Sequence, residues 1–250
     1  MGTSMRAFVL MACLVFAGLL AAKTAKTPED YQQQAGRAVE RTLQEIPAYA
    51  IMAQRQADFV PTWREQLRQQ LIVGAGKRER ELNESIALGL AMHAGNDYLS
   101  AADDGSVDRY FQQQRRLLAD AQQDPRLCRL LLGTPSARVE QAGALPWLME
   151  KNYRKYRPEL QQALTALVVN AQGKWPRTLP AGQNSLFIRR LVSRMADIYG
   201  PESLKRYELM GNENASPDIR CTALHQLYET LASQPPELRA QLVRGYFGGN

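Results

Sequence analysis

The apolar positions of this chain fall into two unlike patterns. From Ala7 to Ala22 they run together without a charge, AFVLMACLVFAGLLAA, with Arg6 before them and Lys23 and Lys26 after. Beyond Lys26 they recur at helical spacing, broken by prolines and glycines. A secretory signal has a basic start, an apolar stretch of roughly 7–15 residues and small residues at the cut. Residues 1–26 fit the first two features, while Leu20-Ala21-Ala22 places Leu, not Ala, two before the end. A membrane-spanning helix needs about 20 apolar residues, so the run is short for one. The segment is therefore expected to be a cleaved signal peptide or, failing cleavage, a signal anchor. Charges on its two sides balance and set no orientation. Leu10-Met11-Ala12-Cys13 has the form of a lipoprotein box, but the apolar run continues past the cysteine, against a lipid anchor there.

The rest, 27–250, predicts one helical domain. Thr27-Pro28-Glu29-Asp30 is a helix start: a capping hydroxyl, a proline suited to the first turn, and acids at the positive end of the dipole. Ala35, Ala38, Val39, Thr42, Leu43 and Ile46 follow at helical spacing until Pro47. Pro61-Thr62-Trp63 opens a helix that stops near Gly74. A long helix is expected over 77–101, and another from Val107 to Ala121. Short helices are expected after Pro125 and Pro146, and a further one with Leu160, Leu164, Leu167 and Val168 facing inward. Residues 170–184 are the least regular and predict a long loop or subdomain boundary. Helices over 186–198, 201–210, 217–231 and from Pro235 complete the chain. No stretch alternates with period two between hairpin turns. The fold class predicted is all-α, an irregular bundle of roughly eight to ten helices.

Composition adds little to this except through cysteine. The hydrophobic share of 45% is that of a globular protein, and the net charge of +6 allows anionic partners. Of three cysteines one lies in the leader, leaving Cys128 and Cys221. In an oxidising compartment these are expected to pair, closing a loop of about ninety residues worth roughly 4 kcal/mol in the chain-entropy model.

Candidate chemistry is sparse. Cys221, His225 and Glu229 share a helix face. A structural zinc needs four ligands, and of the four Cys and His outside the leader only Cys221 and His225 are close in sequence; a Cys-His nucleophile draws its members from separate elements. The disulfide is the preferred reading, with no metal and no cofactor. Asp103-Asp104-Gly105 lacks the acids of a calcium loop and reads as a turn with a helix cap. Lys151-Asn152-Tyr153-Arg154-Lys155-Tyr156-Arg157 interleaves cations with aromatics, making Lys151, Arg154, Lys155 and Arg157 surface-contact candidates. Such a patch suits a partner protein or anionic lipid; export disfavours nucleic acid. No phosphate-cradling glycine loop, His-Glu-x-x-His, Gly-x-Ser-x-Gly or Cys-x-x-Cys occurs.

Glu84-Ser85, with Ala94-Gly95-Asn96-Asp97-Tyr98 further on, resembles the lytic transglycosylases. That resemblance implies an all-helical envelope enzyme with Glu84 as general acid for cutting peptidoglycan. The family's Gly-Leu-Met-Gln type stretch has no counterpart here. Glu84 instead sits among charges in KRERELNES, where an acid catalyst wants an apolar pocket.

The expectation is thus a non-enzymatic helical accessory protein of the cell envelope, periplasmic or anchored to the inner membrane with its domain outside the cytosol. Its partner would be another envelope protein or an anionic membrane surface. The alternatives are the peptidoglycan-cleaving enzyme and a membrane-tethered regulator facing the cytosol.

Overall fold

The computed structural model describes residues 26–73, 79–121, 155–174, 183–212 and 214–248. Among them are eleven helices and no strand: α1 (Pro28–Glu45), α2 (Pro47–Arg55), α3 (Phe59–Ile72), α4 (Glu79–Ala94), α5 (Asn96–Leu99), α6 (Asp104–Ala121), α7 (Arg157–Ala171), α8 (Gln183–Tyr199), α9 (Glu202–Met210), α10 (Pro217–Ala232) and α11 (Pro236–Phe247). The protein is all-α, as the periodicity predicts. The short helices expected after Pro125 and Pro146 lie outside the described residues, as do residues 1–25.

Local chemistry sets the boundaries. Thr27 and Asp30 form a reciprocal capping box: Asp30 N–H donates to Thr27 Oγ1 at 3.2 Å, and Thr27 N–H donates to Asp30 Oδ2 at 2.8 Å. Pro47 cannot continue α1, so Ile46 turns extended and Pro47 starts α2. Ser216 Oγ accepts from Ile219 N–H and opens α10 ahead of Pro217. Asp103 does the same for α6, accepting from Ser106 N–H at 2.9 Å and Ser106 Oγ at 2.8 Å. The acids at 103–104 thus serve a helix start, as read from the sequence. Gly200 takes a φ of 80°, which turns the chain between α8 and α9.

The single helix expected over 77–101 is interrupted. α4 ends at Ala94, Gly95 forms a turn, and α5 follows as a single short helix. The reason is close packing. A Cβ at Gly95 would stand 2.8 Å from Tyr110 Oη and 2.9 Å from Leu164 Cδ1. Tyr110 in turn donates to the carbonyl of Met92 at 2.8 Å, so α6 and α7 press directly on this corner.

Packing places α1 against α3 and α4, α2 against α7, and α8 against α9, α10 and α11. α6 joins the two groups by touching α7, α10 and α11. The core is continuous through it. Near α2 and α3, Tyr49, Phe59 and Trp63 meet edge-on or tilted at 5.7–6.3 Å. At the other end Phe111 stacks on Tyr228 at 5.0 Å. One polar join crosses the first group: buried Asn83 donates to Ala38 O and Thr42 Oγ1 at 3.0 and 2.7 Å. The irregular stretch at 170–184 separates α7 from α8, and its residues 175–182 lie outside the described set.

Candidate functional site

Glu84 lies on α4, where its side chain is 20% exposed. The carboxylate is thus largely shielded from water. Arg80, one turn earlier, donates Nε–H to Oε1 at 2.9 Å, and Arg157 at the start of α7 places Nη2 2.6 Å from Oε2. Both carboxylate oxygens are occupied by guanidinium groups, and the pair ties α4 to α7. A general acid must instead offer a proton to a substrate oxygen within hydrogen-bond reach. This geometry is that of a structural ion pair.

At the C-terminal end of the basic–aromatic patch the side chains make contacts with other helices. Arg157, expected at the surface, spends its guanidinium on Glu84 and is 30% exposed. Its partner lies 73 positions earlier in the sequence. Tyr156 donates its hydroxyl to Asp120 Oδ2 at 2.5 Å, joining α7 to α6. Lys155 stays exposed, its Nζ 2.8 Å from Tyr156 Oη and over the same ring. Lys151 and Arg154 lie outside the described residues.

On α10, Cys221 is buried and makes a contact of its own; Cys128, its expected partner, lies outside the described residues. His225 and Glu229 follow on the same face, with Nε2 3.9 Å from Oε1. Glu229 is claimed by Arg115 of α6 through two bonds of 2.7 Å, Nε to Oε1 and Nη2 to Oε2. The Arg115 hydrogen bond, against an opposing effect of burial, holds the Glu229 carboxyl below its ordinary range. Burial pushes the His225 imidazole down; Glu229 opposes this and Arg115 adds to it. Among the described residues no three His, Cys, Asp or Glu side chains gather as metal ligands.

Two open grooves stand out near the first helices. One of about 570 Å³ is lined by Lys26, Asp30, Gln34, Arg37, Arg41 and Glu79. The other, of about 430 Å³, runs past Gln32, Pro61, Arg64, Glu65 and Arg68. Most of their charges are already answered. Gln34 bridges Lys26 and Glu79, Arg41 lies 3.9 Å from Glu79, Arg64 3.5 Å from Glu40, and Arg68 2.6 Å from Glu65.

The surface that sequence reasoning passed over is on α8. Its inner face packs Leu191 and Met195 into the core, while its outer face presents Arg189, Arg190 and Arg194 to water. Leu186 and Ile198 are also open there, at 56% and 45% exposure. The signal was available: three arginines fall within six residues, RRLVSR. Hydrophobic periodicity marks only the stripe that a helix buries and is silent about such a face.

Set against family models, curated proteins and solved structures, the chain matches none.

Proposed function

We propose that this is an exported, non-enzymatic helical accessory protein of the cell envelope, acting through its surface. The uncharged run Ala7–Ala22, bracketed by Arg6 and Lys23, carries this reading. The helix cap on Thr27 lies five positions past Ala22. Among the described residues no helix is long and apolar enough to cross a membrane. Insertion would thus fall to the leader, either as a cleaved signal or as an anchor.

Two features support surface action over catalysis. Glu84, the one candidate acid, has both oxygens engaged by Arg80 and Arg157. The charged side chains between helices serve as clasps: Arg115 with Glu229, Arg239 with Asp108, Arg244 with Asp104. The same reading puts the domain in an oxidising compartment, where Cys128 and Cys221 pair.

The test fuses residues 1–30 to alkaline phosphatase, which is active only outside the bacterial cytosol. Active fusion, with N-terminal sequencing to separate cleavage from anchoring, is the expected result. An inactive fusion of normal abundance overturns export. Intact-mass measurement with and without reduction checks the disulfide: two hydrogens gained on reduction are expected, and unchanged mass removes the bond.

A further inference from the structure

We infer that the outward face of α8 is a docking surface for the anionic headgroups of a lipid bilayer. The inference deepens the proposed envelope function and rests on it for bringing a bilayer within reach; the surface itself is argued from α8 alone.

Charge comes first. Arg64, Arg68, Arg80, Arg115, Arg157, Arg239 and Arg244 each have a carboxylate within 3.5 Å. Arg189, Arg190 and Arg194 have none among the described residues, although all three are exposed. Asp197 is the single acid of α8, so its three arginines leave a net charge of +2 on the helix. Concentrated unpaired cations on one solvent face repel one another, and a surface of opposite charge relieves that.

The shape of the face then selects the occupant. At 3.6 residues per turn, Leu186 and the exposed Asp197 fall in the middle of the exposed arc, between Arg189 and Arg190, and Ile198 lies at its margin beside Arg194. Leu186 and Ile198 are twelve positions, about 18 Å, apart along the axis. Aliphatic side chains left open beside arginines suit a boundary where the cations meet phosphate and the aliphatic tips reach the acyl region. A single-stranded nucleic acid would call for aromatic rings on which bases stack. No aromatic ring is exposed on this arc: Phe187 and Tyr199 turn toward the core.

The test is flotation of the purified full chain with two kinds of vesicle, phosphatidylcholine alone and phosphatidylcholine mixed with phosphatidylglycerol. Binding to the mixed vesicles should exceed binding to phosphatidylcholine and weaken as salt rises. R189E/R190E/R194E should lower it by more than about five-fold per arginine, at least roughly a hundred-fold together. R189Q/R190Q/R194Q guards against misfolding of the reversed variant and should show a smaller loss. R37E/R109E/R116E makes the same change in net charge at exposed arginines elsewhere and should keep the binding. Binding driven by the leader and its flanking Arg6, Lys23 and Lys26 persists in every variant, so undiminished flotation of R189E/R190E/R194E on mixed vesicles overturns the inference while leaving export intact. Equal loss in both glutamate triples overturns it too, assigning the attraction to overall charge. So does capture by poly-glutamate without flotation on mixed vesicles, which assigns the face to an acidic protein.

Discussion

Arg115 and Glu229 face each other across 114 positions of sequence in a two-pronged pair, each N···O distance 2.7 Å. The pair fastens α6, the helix common to both packing groups, to α10. Fork-on-carboxylate geometry is the strong form of ion pair, and both groups are partly shielded. Glu229→Gln should lower unfolding free energy by about 1 kcal/mol at neutral pH. Because the folded-state carboxyl is depressed from 4.5, its contribution is whole above that value and fades as pH falls through the folded value. Urea unfolding of wild type and variant should therefore converge in strong acid; a constant gap would remove the pair as the cause.

His225 should add a second limb to the same curve. Its imidazole is depressed from 6.5, so the folded state takes up its proton later than the unfolded chain does. The associated stability is full above 6.5 and declines as pH falls below it. His225→Gln should flatten that part of the profile, measured by urea unfolding in half-unit steps. An unchanged slope would mean that another group titrates there.

Gly95→Ala should destabilise the protein by about 1–3 kcal/mol, although alanine is the better helix former by about 1 kcal/mol. The new methyl would press on Tyr110 Oη and Leu164 Cδ1, and both side chains are fully buried. Thermal unfolding decides it. A variant more stable than wild type would show that this corner has slack.

Glu84→Gln should lower stability by about 1 kcal/mol through the loss of Arg157 and Arg80 as ionic partners. Release of soluble muropeptides from purified peptidoglycan should be the same for both proteins. Release by wild type alone would restore the enzyme reading.

Helix starts were the most legible part of the fold, because a cap is written within four residues: Thr27 to Asp30 forms as the sequence predicts. The same locality makes Arg80–Glu84 readable at one helical turn. Arg157–Glu84 and Arg115–Glu229 were not readable, since nothing in composition marks partners that only folding brings together. The break at Gly95 was missed for a related reason. A lone glycine costs a helix little, and what makes it necessary is Tyr110 and Leu164 arriving from α6 and α7. Buried arginines mislead in a similar way, because hydropathy assigns them to the surface.

Arg244→Ala should be the costliest of these substitutions. The buried guanidinium donates to Leu99 O at 3.1 Å and Ala102 O at 2.7 Å, and meets Asp104 Oδ1 at 2.6 Å. Its removal strands two carbonyls and takes a cation from Asp104, for about 3 kcal/mol. Arg244→Lys keeps the charge without the fork and should recover less than half of the loss in urea unfolding.

Arg239 and Arg244 both belong to the last helix, and both reach back to residues between Leu99 and Asp108. Fraying of α11 would therefore release both fasteners together, so the corner loosens with that helix and not by itself.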